Sequence, residues 1–156
     1  MKTLLCVVLA AFASASCTLS TVPQTAGDSA EGRMSRAVLD PYLQIAEALA
    51  SDNVDGVKMN AGEIATAVTA LGALAFKIGT AAAQLSSAAD LADAREKFGV
   101  LSDAIDAYMT NNKLPAPEGV RVAFCPMVKK PWLQTGDSLR NPYYGSQMLT
   151  CGSFRN

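Results

Sequence analysis

From Met34 to Asn111 the apolar residues recur every three or four positions, and that period confines the stretch to helix. Met34, Val38, Tyr42, Ile45 and Leu49 share one face. A second series runs Val54, Val57, Ala61, Ile64, Val68, Leu71, Ala75, Ile78, Ala82 and Leu85. Unbroken, it would form a helix about 48 Å long at the α-helical rise. Gly72 and Gly79 are the positions where it would bend or divide. Leu91, Ala94, Phe98, Leu101, Ile105 and Tyr108/Met109 make a third stripe, with most charges off it. Ser51-Asp52-Asn53 and Ser86-Ser87 supply capping residues between stripes. Pro41 either opens a first turn capped by Asp40 or kinks a longer helix. Half of the chain is hydrophobic but only 6% is aromatic, so its core is built mainly from Ala, Leu, Val and Ile. Small side chains of high helix propensity favour closely packed helices. The expectation is an all-α fold: an up-and-down bundle of three or four helices over 34–111, then an irregular Cys/Met-containing segment over 114–154. Together these form one domain, 34–154.

The first residues predict an address. Lys2, an apolar run from Leu4 to Phe12 and the small residues that follow read as a signal peptide over 1–16. The apolar run is too short to span a bilayer. Cleavage falls either after Ala13-Ser14-Ala15 or before Cys17, which would then be lipidated; Ala15-Ser16-Cys17 resembles the end of a lipobox. The mature protein is thus expected outside the cytoplasm, periplasmic or held at a membrane only through a lipid on Cys17. Residues 17–33 are small and polar, the composition of a flexible tether.

Composition also excludes functions. The chain has no histidine, so it lacks the commonest general base, the commonest zinc ligand and every Ser-His or Cys-His nucleophile arrangement. Its net charge is −1, with no basic excess to neutralise phosphates, and nucleic acid is not expected as a partner. No nucleotide loop or paired catalytic carboxylates stand out, and no enzymatic activity is predicted.

The tail changes character at Leu114, where Pro115, Pro117 and Gly119 end the helical pattern. Val120, Val122 and Phe124 alternate with Arg121 and Ala123 as a short extended segment. Trp132, Tyr143 and Tyr144 follow among turn residues, and Asn141-Pro142-Tyr143-Tyr144-Gly145 reads as a turn in which Asn141 bonds backbone. Cys125 and Cys151 both lie here, each with a nearby methionine, Met127 and Met148. Three readings stand open. The cysteines can form a disulfide, whose loop of about 26 residues would contribute roughly 3 kcal/mol. They can remain buried thiols. Or the two Cys-Met pairs can present sulfurs to a soft cation such as Cu(I) or Ag(I).

The series Cys125-Pro126-Met127, Trp132, Arg140 to Gly145, Met148 and Cys151-Gly152 resembles the tail of an uncharacterised family of exported helical domains. The likeness extends to Val38-Leu39-Asp40-Pro41-Tyr42-Leu43 and Phe98-Gly99-Val100-Leu101-Ser102. Members of that family occur alone or fused to CusB-like periplasmic adaptors of copper/silver efflux pumps. The resemblance implies heavy-metal handling in the cell envelope, with Cu(I) or Ag(I) as cargo. It also implies Cys125, Met127, Met148 and Cys151 as ligands and an envelope metal-efflux or metal-handling protein as partner. The competing expectation is an interaction module stapled by Cys125 and Cys151, with an exposed aromatic tail as its binding face.

Overall fold

Helix α1 spans Arg36–Ala50, with Pro41 inside it. The Ser35 carbonyl accepts the Val38 and Leu39 N–H groups at 3.0 and 2.9 Å, so the helix starts ahead of the proline. Its apolar stripe is buried as the spacing requires, with Val38, Tyr42, Ile45 and Leu49 fully enclosed. The second stripe divides. Helix α2 (Val57–Ala67) passes through two short 3-10 turns, Val68–Leu71 and Ala73–Ala75, into α3 (Phe76–Leu85). The break is Gly72, at φ 75° and ψ −169°, a conformation that side chains disfavour. Gly79 lies within α3, and a Cβ there would stand 2.8 Å from Val68 Cγ2, so its role is close packing. Helix α4 (Leu91–Asn111) is capped by Asp90, which accepts the Asp93 N–H at 2.9 Å. Asp93 reaches back to the Ala89 N–H at 2.7 Å, closing a reciprocal cap.

The computed structural model describes residues 33–155. The expected signal peptide, the lipidation site Cys17 and the tether through residue 32 lie outside the described residues. Among the described residues no helix is long and apolar enough to cross a membrane.

The expectation of an all-α fold is overturned in the tail. Strands β1 (Val120–Cys125), β2 (Lys130–Thr135) and β3 (Ser153–Phe154) form an antiparallel sheet in the order β2-β1-β3. The described residues form a mixed α and β fold: four α-helices beside a three-stranded sheet. Strand β2 hides from sequence reading for two reasons. Pro131 to Gln134 are all buried, so no polar-apolar alternation remains. Pro131 itself argues against a strand; it is tolerated because β2 is an edge strand, where a missing N–H breaks no ladder. Strand β3 is two residues long and carries no periodic signal at all.

The sheet is fixed to the helices through β2, which packs on α4 and α1. Tyr42 shares a 2.7 Å hydrogen bond with Ser102, and its hydroxyl accepts the Leu133 N–H at 3.2 Å. Burial pushes the Tyr42 phenol well above its ordinary range, so it works as a neutral hydrogen-bonding group. An aromatic row runs from helix to tail: Tyr42 on Phe98 at 5.1 Å, Phe98 on Tyr143 at 5.8 Å, and Tyr143 edge-on to Trp132 at 6.1 Å. Trp132 and Tyr143 are 1% and 7% exposed, so the aromatic tail is part of the core and not an exposed binding face.

Candidate functional site at the two cysteines

Strand β1 ends on Cys125, whose side chain is completely buried. A four-residue connection, closed by Lys129 at φ 56°, carries Met127 outward, where it is 60% exposed. Strand β3 returns along β1 in the register Ala123↔Phe154 and Phe124↔Ser153. That pairing draws Gly152 and the half-buried Cys151 towards the end of β1 at Cys125. The Cys151 N–H donates to the Met148 carbonyl at 3.0 Å, a tight turn that leaves Met148 37% exposed. Cys125 and Cys151 are both free thiols.

Asn141 joins the two cysteine segments. It is fully buried, and its Nδ2 donates to Cys125 Sγ at 3.3 Å and to the Cys151 carbonyl at 2.7 Å. Its Oδ1 accepts the Tyr143 N–H at 2.8 Å, the turn bond that the Asn-Pro-Tyr-Tyr-Gly sequence predicts. Its own N–H donates to the Leu149 carbonyl at 2.7 Å, and its carbonyl accepts from the Gly145 N–H at 3.0 Å. One residue therefore ties β1, the 141–145 turn and the 148–151 turn together.

Beyond this hub, the tail is clamped to the end of α1. Arg140 grips Glu47 with both arms, at 2.8 and 2.6 Å, and donates to Ser51 Oγ at 3.0 Å. Arg95 of α4 donates to the carbonyls of Pro142 and Leu49 at 3.1 and 2.9 Å and pairs with Asp52. Asp52 also accepts the Ser146 N–H at 3.0 Å. Lys130 pairs with Asp103. Trp132 Nε1 donates to Gln134 Oε1 at 3.0 Å, and that oxygen also accepts the Arg140 N–H at 3.0 Å. Arg95 lies among the charges off the third stripe, and no local signal marks a side chain whose partners lie more than forty residues away in both directions.

The clamp titrates. Hydrogen bonds from Ser146, and then the Arg95 guanidinium, lower Asp52 from 3.8 to about 2. Folding favours the charged form, so the contribution is complete above the unfolded value and fades as pH falls from 3.8 through about 2. Asp52→Asn tests this, because Asn tolerates the φ of 55° at this position and removes the charge together with one of the two accepting oxygens. Urea midpoints of wild type should exceed those of the variant at pH 5, and the gap should narrow as pH falls towards 2. A gap independent of pH would rule out the titration.

The donor set fits a soft cation better than a hard one. Among the described residues no three Cys, Asp or Glu side chains gather to hold an ion together. One carboxamide touches the Cys125 sulfur and the Cys151 backbone carbonyl, and thiolates suit Cu(I) and Ag(I). Met127 and Met148 each lie close in sequence to a cysteine and both reach solvent. No family model matches the chain, and no curated protein or solved structure is found similar to it.

Proposed function

We propose that the protein is a non-enzymatic cell-envelope module that binds a soft monovalent cation, Cu(I) or Ag(I), for sequestration or hand-over to a metal-efflux partner. The supporting observation is the Asn141 carboxamide, which touches both the Cys125 sulfur and the Cys151 backbone. Cys125 and Cys151 would bind the cargo as thiolates. Cys125 would anchor it from the buried side, and Cys151 would hold it at the half-exposed edge. Met127 and Met148, close to these cysteines in sequence and exposed to solvent, would be thioethers able to receive or release the ion. Asn141 orients the inner sulfur as outer-shell donors orient metal ligands.

The test is a Cu(I) competition titration on mature protein, with thiols counted with and without reductant. One equivalent should bind tightly, and Cys125→Ser or Cys151→Ser should weaken binding by about 100-fold or more, beyond a typical outer-shell effect. Met127→Leu and Met148→Leu should each weaken it by about 10-fold or less. Two free thiols without copper binding would overturn the reading. No titratable thiol and no copper response would make the pair a cross-link in an interaction module.

A further inference from the structure

The largest apolar side chains left in water lie at the start of α3, remote in sequence from the cysteines. Leu74 and Phe76 are 76% and 74% exposed, and Val100 of α4 is 44% exposed. Phe76 and Thr80, one helical turn apart, border two grooves and so form the ridge between them. The first, about 390 Å³, lies towards α2 and is walled by small residues including Gly72, Ala73 and Ala83. The second, about 480 Å³, lies between α3 and α4, with Val100, Ala104 and Ala107 inside and the exposed Lys77 and Asp103 on its border.

The geometry points to a second copy of this chain as the occupant, with Phe76 of each copy entering the α3–α4 groove of the other. A twofold interface needs convex and concave parts on one surface, and this ridge flanked by grooves supplies both. The charges agree. Lys77 follows Phe76 directly, so a Phe76 seated in the facing groove brings its Lys77 towards Asp103 of the second copy, whose carboxylate is paired with its own Lys130 but still about half exposed. The chain's own segment 18–33 is a poor occupant, offering only Leu19 and Val22 as large apolar side chains. Size sets the strength. A whole aromatic side chain buries roughly 150–250 Å², so Leu74 and Phe76 together offer about 300 Å². With the groove walls, two copies would bury roughly 800–1,000 Å² in total, the low end for specific association. An interface of that size gives a weak, reversible dimer.

Sedimentation equilibrium of the mature chain between about 10 μM and about 1 mM tests for it. Dimer should accumulate with concentration, and F76D should weaken it at least about 10-fold by putting a charge into the groove. K77E should weaken it by bringing like charges together, and K77A should weaken it less. Phe76 is three-quarters exposed, so F76D should fold with unchanged circular dichroism. Should it not fold, the difference between K77E and K77A decides the matter. A monomer across the whole range overturns the proposal, as does an association that F76D leaves intact. Phe76-dependent co-sedimentation with phosphatidylglycerol vesicles, without dimer, would also overturn it by making the patch a lipid seat.

Discussion

Asn141→Leu will remove about 4 kcal/mol of folding stability and abolish any function that needs Cys125 and Cys151 together. Leu has the same number of heavy atoms and the same branch point as Asn and is bulkier, so no cavity opens. It deletes the donations to Cys125 Sγ and the Cys151 carbonyl and the acceptance from Tyr143. The Cys151 carbonyl and the Tyr143 N–H would lose their Asn141 partner in a buried setting, and each such loss costs about 1–3 kcal/mol. For a domain of this size the melting temperature should fall by roughly 10–15 °C. Asn141→Asp separates the parts, because it retains the acceptor for Tyr143 and loses both donations. Thermal unfolding followed by circular dichroism measures both variants. A loss below about 1 kcal/mol for Asn141→Leu would mean that water replaces the carboxamide and that the hub does not hold the tail.

The helices were readable because each carries its own periodic signal. The buried faces of α1, α3 and α4 match the stripes, and the only long series, Val54 to Leu85, divides at one of the two glycines marked for it. Local chemistry misled at the α4 cap, where Asp90 takes the role offered by Ser86-Ser87. The sheet failed for a different reason. Its central strand alternates, but β2 is buried along four successive residues and β3 is too short to register, so both depend on long-range pairing. Both cysteine segments were marked as the place to look, and the residue that ties them together was not. A turn asparagine that also reaches a sulfur sixteen residues back looks like any other turn asparagine. The clamp residues Arg95, Asp52, Arg140 and Glu47 join four parts of the chain, and charge alone does not tell a clamp from a solvated face.

Gly152→Ala should cost about 3–5 kcal/mol, although it adds a single carbon next to Cys151. Two separate effects combine there. Gly152 has φ 140°, where an L-residue is strained by about 1–3 kcal/mol. A Cβ would also stand 2.8 Å from Trp132 Cη2 and 2.9 Å from the Phe124 carbonyl oxygen. Trp132 cannot retreat, because it is 1% exposed and its indole N–H is committed to Gln134. The Phe124 carbonyl belongs to β1, so relief requires β3 to draw away, at an overpacking cost of about 1–3 kcal/mol. Gly119→Ala is the control: its φ is 74° but nothing lies within 4 Å, so it should carry the backbone strain alone. Urea unfolding of the two variants should therefore differ by about 2 kcal/mol. The same shift of β3 would move Cys151 relative to Cys125, so on the proposed function Cu(I) binding should weaken in Gly152→Ala and not in Gly119→Ala. Equal stability losses in the two variants would show that the close approach of β3 to Trp132 is not what seats the second cysteine.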